Sequence, residues 1–192
     1  ADRAGWDASF RGGLLYRASE GVALRAAAYS GLRLPTLNEL YRPFVVFPVV
    51  TQANAALENE RLEGFELGVD VTPVPGVGLS LTAFDNRVKN AVANVTLDTN
   101  LRQRRNIDAV HARGIEASIA ATLGEVSFDA SAAWTDAEAQ GSGFAAALDG
   151  NRPSQTPRFV AGATLAWRPA ENWLLATTLR HVGAQFEDDL ET

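Results

Sequence analysis

The chain contains neither cysteine nor methionine among its 192 residues. Without cysteine there is no disulfide scaffold and no thiolate-ligated metal, and a chain so built can cross an oxidising compartment without forming stray bridges. Histidine is almost as scarce: His111 and His181 stand alone, with no H-x-x-x-H spacing, so no metal site is expected. Basic runs are missing too. The 17 basic and 23 acidic residues are scattered and sum to a net charge of −6, which argues against a nucleic-acid surface. The densest apolar run, Phe44 to Val50, is short and broken by Pro48, far from the roughly 18 apolar residues that a membrane-crossing helix needs. A membrane could be crossed only by strands closed into a barrel, because hydrocarbon offers unpaired backbone groups no partner.

Motifs for chemistry are equally thin. Gly76-Val77-Gly78 lacks the third glycine and the helix of a dinucleotide fingerprint and reads as a turn. Gly141-Ser142-Gly143 is no nucleophile elbow. The acidic tail Glu187, Asp188, Asp189 and Glu191 lacks the spacing of a calcium loop and reads as a solvated loop. No catalytic residue, cofactor site or metal site is nominated. No composition shift divides the chain, so one domain, or one piece of a larger one, is expected. The start at Ala1 without an initiator or signal peptide is expected of a processed or excised segment.

What the chain does have is alternation, recurring about eight times with period two. From Trp6, the positions Trp6, Ala8, Phe10, Gly12, Leu14 and Tyr16 are apolar or small, and Asp7, Ser9, Arg11, Gly13 and Arg17 intervene; Leu15 is the exception. From Glu63 to Thr72, Phe65, Leu67, Val69 and Val71 take one face, and Glu66, Gly68, Asp70 and Thr72 the other. The same split sets Ile115, Ala117 and Ile119 against Glu116 and Ser118, Phe128 and Ala130 against Asp129 and Ser131, and Phe159, Ala161 and Leu165 against Arg158, Gly162 and Thr164. The polar phase carries both signs of charge, at Arg11, Arg25, Glu66, Asp70, Glu116, Asp129, Arg158 and Arg180. In a barrel these would line a wet lumen. Mean hydropathy is only −0.07, as strands with a polar half allow.

The connections alternate in length. Those near Arg17 to Gly21, Pro73 to Gly76, Leu123 to Glu125 and Arg168 to Asn172 are tight, with Gly, Pro and Asn supplying turn conformations. Those from Gly31 to Arg61, near Asp98 to Arg105, and from Glu138 to Thr156 are long. Short turns at one end and long loops at the other is the arrangement of outer-membrane barrels, which also carry aromatic girdles at the two water boundaries. Tyr16, Trp167 and Trp173 flank proposed short turns and Trp134 lies towards the long-loop side, so these four are the candidate girdle.

Between Ser30 and Gly68 the chain reads SGLRLPTLNELY and then ANAALENERLEGFELG. Locally, Thr36 is a candidate N-cap with Glu39 three residues on, as in a capping box. Pro43 to Val50 reads as an apolar loop that packs on neighbouring loops or touches a hydrophobic ligand. The pair of segments resembles the signature of TonB-dependent outer-membrane receptors, in which aromatic-Arg-x-Pro-Thr-x-x-Glu-Leu-Tyr precedes Asn-Pro-x-Leu-x-Pro-Glu and a strand reading Tyr-Glu-Leu-Gly. Arg33, Pro35, Thr36, Leu37, Asn38, Glu39, Leu40 and Tyr41 match the first part, and Asn54, Leu57, Glu60, Glu66, Leu67 and Gly68 the second. Leu32 replaces the aromatic, and Ala55 and Asn59 stand where prolines are usual.

The resemblance implies an all-β, antiparallel up-and-down meander of about eight strands. These would form part of a larger transmembrane barrel, with residues 1–192 a barrel segment that lacks the plug and the closing strands. It implies no enzyme but a fragment of a receptor in the outer membrane of a Gram-negative bacterium, taking up a ferric siderophore or a similar scarce nutrient. The implied partners are outer-membrane lipid, the plug domain, the TonB complex and the nutrient. The motif residues are read as structural, holding a folded loop over the rim, and the resemblance assigns them no ligand contact. Two alternatives stay open: a complete small barrel of eight strands, and a soluble all-β binding domain or hydrolase, whose carboxylate pair across a cleft nothing in the spacing nominates.

Overall fold

The computed structural model describes residues 5–191. One antiparallel sheet of eight strands dominates it, formed by β1 (Arg11–Ser19), β2 (Val22–Arg33), β5 (Glu60–Val74), β6 (Val77–Lys89), β9 (Ala109–Leu123), β10 (Val126–Gln140), β11 (Phe159–Ala170) and β12 (Trp173–Val182) in that spatial order. Neighbours in the sheet are neighbours in sequence once the long loops are set aside, so the path is an up-and-down meander. The first strand begins at Arg11, later than the alternation from Trp6 predicts. Phe10 still exchanges bonds with Ser30 of β2 at 2.8 and 3.0 Å, while Asp7 bonds the side chains of Asn59 and Arg61 at the start of β5.

The sheet is open. Among the described residues β1 and β12 each have one strand neighbour, whereas a complete eight-stranded barrel would pair them; that alternative is not what the chain forms. Its strands are nonetheless staggered as a barrel requires. Val22 pairs with Val71 while β5 runs on to Val74; Val77 pairs with Ala121 while β9 runs on to Leu123; Val126 pairs with Trp167 while β11 runs on to Ala170. Each successive hairpin turn therefore sits lower in register than the one before. A stagger of one sign tilts the strands against a common axis, the condition for closing a sheet into a barrel.

Register also fixes the two faces, because directly opposed residues point the same way. One row runs Leu14, Ala26, Leu67, Ala83, Ile115, Trp134, Phe159, and the parallel apolar rows include Tyr16, Val69, Leu81, Ala117 and Ala132. This outward face holds many exposed large side chains, among them Phe65, Leu67, Leu81, Trp167 and Leu179. The other face holds Arg11, Arg25, Glu66, Asp70, Glu116, Asp129 and Arg180. Arg158 departs from the lumenal set expected of the alternation. It precedes β11, and its guanidinium reaches Asp136 at 3.7 Å, a residue in register with Arg113 and Asp85 on the outward face.

Among the described residues the buried apolar side chains lie elsewhere. Leu40, Leu57, Ala91, Val95, Ile107, Ala109, Ala137, Ala139, Ala145 and Leu148 all sit at the long-loop end. There the connections build a second, four-stranded sheet from β3 (Phe44–Val46), β4 (Val49–Gln52), β7 (Val92–Asp98) and β8 (Leu101–Asn106) in the order β3, β4, β8, β7, with β4 and β8 parallel. A helix α1 (Leu37–Tyr41) and a 3-10 turn Gly143–Leu148 complete this layer. Its core is Ala91, Val95, Ile107, Ala139, Ala145 and Leu148. The alternation of the large sheet predicts none of this second sheet. A soluble domain would bury apolar side chains against the middle of its main sheet; here the buried set is confined to the long-loop end, including the strand ends at Ala109, Ala137 and Ala139.

Candidate functional site

The loop layer is anchored by the motif between β2 and β5, where β2 ends and β5 begins. Thr36 is the N-cap of α1: its hydroxyl accepts from the Glu39 N–H at 3.2 Å, and the Glu39 carboxylate accepts from the Thr36 N–H at 2.7 Å, a reciprocal capping box. This satisfies donors that the first helical turn leaves free. Arg33, the last residue of β2, lies opposite Glu60, the first of β5. It bonds Glu60 through Nε and both oxygens of Glu39 through Nη1 at 3.1 Å. Glu60 is only 8% exposed, and its other oxygen accepts from the Val92 N–H at 2.6 Å. One guanidinium thus ties helix to strand and, through Glu60, to β7. A buried carboxylate needs such compensation, since its desolvation is costly when unpaired.

Burial pushes the Glu39 carboxyl up, but the Thr36 N–H, the Thr36 hydroxyl and the Arg33 guanidinium together outweigh it and hold the group below the usual carboxylate range.

Asn54 carries the next link. Its N–H donates to the Glu39 carbonyl at 3.0 Å, its Oδ1 accepts from the Ala56 N–H at 2.9 Å, and its Nδ2 donates to the Arg104 carbonyl at 3.0 Å. Arg104 returns from β8 to the end of α1, donating to the Asn38 and Arg42 carbonyls at 2.9 and 3.3 Å. Cations at a helix C-terminus meet the exposed carbonyls there. Leu57 is 2% exposed, Leu40 is buried, and Pro35 lines the same hollow; Tyr41 stays exposed. Further out, Arg102 pairs with Asp188 at 3.0 Å, and Asp189 accepts from the Ser154 and Asn94 N–H groups at 3.3 Å. The acidic tail is therefore a latch onto two loops, the β6–β9 and β10–β11 connections, and not the solvated loop that its composition suggests.

The inward face carries two side-chain networks. Arg25 bonds Asp70 bidentately at 2.6 and 3.1 Å, and its Nη2 also donates to Ser80 and Thr82 at 2.9 and 3.1 Å. The Tyr29 hydroxyl donates to Glu66 at 2.7 Å and stands 2.9 Å from Asn86 Oδ1. Both rest on glycines. Gly68 pairs with Arg25, and a Cβ there would come within 2.8 Å of the guanidinium; Gly64 pairs with Tyr29, and a Cβ there would collide with its ring. At Gly68 the neighbour is the end of the Arg25 side chain, so a side chain there would shift the guanidinium from its bonds with Asp70, Ser80 and Thr82.

Tyr16, Trp134, Trp167 and Trp173 all fall in the outward phase and all are exposed. Of the two histidines, His111 bonds Asp85 at 2.9 Å on the outward face, and His181 stacks at a tilt on Phe159 with centroids 5.8 Å apart. Among the described residues no cluster of His, Asp and Glu is placed to hold a metal, and no helix is long and apolar enough to cross a membrane.

Sequence reasoning missed the Arg102–Asp188 latch, the role of Arg104 beneath α1, and the outward ion pairs. The Thr99-Asn100 pair between two short polar-apolar runs was the one signal that could have revealed the β7–β8 hairpin.

The same architecture exists among solved structures. The ferric enterobactin receptor PfeA of Pseudomonas aeruginosa superposes with a TM-score of 0.69 at 19% identity, over 93% of this chain and 28% of that one. The siderophore receptor PirA of Acinetobacter baumannii gives 0.66 at 14%, over 92% and 30%. The copper transporter OprC gives 0.66 at 17%, over 86% and 24%. At these identities the likeness establishes the fold, and the chain spans under a third of each protein. No curated protein matches. The family model described as TonB dependent receptor-like, beta-barrel matches residues 1–191, and the chain belongs to that family.

Proposed function

We propose that the chain is a sector of the barrel wall, with its overlying loops, of an outer-membrane receptor that takes up a ferric siderophore or a similar scarce nutrient. The observation that carries this reading is the division of the molecule. A tilted sheet presents apolar side chains outward and hydrogen-bonded charges inward, and every long connection gathers at one end into a packed layer. The outward face meets outer-membrane lipid, with Tyr16, Trp167 and Trp173 at one boundary and Trp134 towards the other. The inward networks of Arg25, Asp70, Tyr29 and Glu66 meet the plug domain, where paired charge suits a mixed interior. Arg33, Pro35, Thr36, Glu39, Leu40, Tyr41, Asn54, Leu57 and Glu60 frame the loop layer, while Glu66 and Gly68 order the wall beneath it; none of them needs to touch ligand. Residues 1–192 are barrel alone, so the plug and the remaining strands come from elsewhere in the protein, and the TonB complex supplies the energy for release. No chemistry is catalysed.

The test is uptake by the full-length protein in a Gram-negative host that lacks its own receptors, with radiolabelled ferric siderophores and cobalamin offered in turn. Accumulation of one of them, abolished when TonB is deleted, is the expected result. Uptake indifferent to TonB, or a protein absent from the outer-membrane fraction, would overturn the reading.

A further inference from the structure

The chain that leaves β12, residues 183–191, crosses to loops built far earlier in the sequence, and register fixes the side on which it does so. The loop core of Ala91, Val95, Ile107, Ala139, Ala145 and Leu148 packs on Val88 and Val110, and Leu190 packs on that core. Val88, Val110 and Ala139 are opposed residues in the phase of Glu116, so the core and the strap over it lie on the inward side, at the mouth of the wall. The strap holds its place with acceptors. Asp188 accepts from Arg102 Nη2 at 3.0 Å. Asp189 accepts from the N–H groups of Asn94 and Ser154 at 3.3 Å and, through its carbonyl, from Asn151 Nδ2 at 3.1 Å. Glu191 accepts from the Arg152 N–H at 2.8 Å, and the Phe186 carbonyl from the Gln155 N–H at 2.9 Å. These donors all belong to the β6–β9 or the β10–β11 connection. The Arg152 guanidinium lies over the Phe186 ring at 5.3 Å, with its Nε buried and unbonded.

N–H groups flanked by two guanidiniums suit an oxyanion, and the strap fills that place with carboxylates of the chain itself. The fit is incomplete. Both N–H bonds to Asp189 stand at 3.3 Å, long for a charge-assisted bond, and the closed state carries the penalty of a buried Nε without an acceptor. Residues 90–108 and 141–157 hold Arg102, Arg104, Arg105 and Arg152 against Asp98, Asp108 and Asp149, so the two connections by themselves are slightly positive. Glu187, Asp188, Asp189 and Glu191 of the strap turn this surface negative. A closed strap and a bound anion therefore exclude each other. We propose that residues 183–191 are a self-inhibiting strap: they occupy the donors of Asn94, Arg102, Arg152 and Ser154, and an anionic ferric chelate takes those donors by displacing them. The inference rests on the uptake reading above and adds to it the charge of the cargo and a closed state that cargo must open.

The full-length protein in detergent is to be titrated with inorganic pyrophosphate, and in parallel with sodium chloride of equal ionic strength, while amide exchange is read in the strap and its two partner loops. Pyrophosphate should speed exchange at residues 186–191 and leave the amides of Asn94, Arg152 and Ser154 protected, since these change partner and do not lose one. Asp188→Asn with Asp189→Asn should lower the apparent Kd for pyrophosphate about fivefold, the factor by which the open population rises. Leu190→Ala, which alters no charge, should act in the same direction by loosening the apolar anchor. Glu187→Gln, which removes an exposed carboxylate away from these donors, should do much less, and adding Arg102→Met to the aspartate pair should cancel the gain. A strap that only braces the loops gives the opposite sign: the aspartate and leucine substitutions then weaken pyrophosphate binding or leave it unchanged. That result, or strap exchange identical in pyrophosphate and chloride, would overturn the proposal. If the protein still takes up its nutrient, the strap inference alone is lost; a strap that yields to pyrophosphate in a protein that never reaches the outer membrane overturns the functional reading and the cargo assigned with it.

Discussion

The wall and the loop layer treat the same kind of side chain in opposite ways. In the wall, Leu179 is 72% exposed, whereas in the loop layer Leu57 and Leu148 are 2% exposed. The two regions are continuous, since β10 runs from one into the other and ends in Ala137 and Ala139, both buried. What changes along that strand is the solvent for which each stretch is built. The loop layer gains stability by removing apolar area from water, about 1.5–3 kcal/mol for a leucine side chain. The wall leaves comparable area uncovered, which is stable only where the surroundings are hydrocarbon.

The sharpest way to break this comparison is to empty the loop core. Leu148→Ala in the full-length protein should cost about 2–5 kcal/mol, read as faster amide exchange in the segments 90–108 and 141–150 with the β9–β10 ladder unchanged. Exchange that rises equally in the wall would show one cooperative unit and not two. Next, Leu81→Arg on the outward face should cost about 2–4 kcal/mol when the protein folds into lipid vesicles, and Ser118→Arg, in the inward phase, much less. Similar costs at the two sites would invert the assignment of faces. Arg33→Met should leave Glu60 with only the Val92 N–H and cost about 1.5–3 kcal/mol, lowering proteolytic resistance between Arg33 and Glu60 while leaving barrel mobility on gels intact. Thr36→Ala removes one half of the capping box and should cost about 1 kcal/mol, visible only in α1 amides.

The smallest effect expected is one of pH. Glu39 titrates below its unfolded value, so its contribution is complete above the ordinary carboxylate range, near pH 4.3 as a rough reference. It is lost as pH falls through the lowered value. Protection of α1 should therefore decline selectively in that acid window, and Glu39→Gln should flatten the dependence. Protection that declines on raising the pH towards neutrality would contradict the pairing with Thr36 and Arg33.

The wall was largely legible in the sequence. Alternation is a local property, so Phe65 to Val71 and Ile115 to Ile119 announce their face without reference to any partner, and the tight turns at Pro75-Gly76 and Glu171-Asn172 fix where strands reverse. The capping box was legible for the same reason, because Thr36 and Glu39 are three residues apart. Arg158 shows the limit. Extrapolated by parity from Phe159 it belongs to the lumen, but it precedes the strand and its guanidinium bends to the outward Asp136. The latch of Arg102 to Asp188 joins residues 86 apart in sequence, and no period reports such a distance.

By itself the sequence determined the strands of the wall, the two phases of their sheet, the end at which loops are long, and the family to which the segment Arg33 to Gly68 points. Backbone geometry links neighbours two residues apart wherever the chain is extended, which is enough for the strands and their phases; the loop end follows from the lengths of the connections and the family from the motif residues themselves. Only the tertiary structure decided that the sheet stays open with staggered turns and that the loops carry the chain's buried core. It also decided that Gly64 and Gly68 make room for Tyr29 and Arg25, and that the strap after β12 sets Asp188 on Arg102 and Leu190 on the loop core. Each of these depends on register between strands far apart in sequence, and register is set by the packing of whole faces, not by any local pattern.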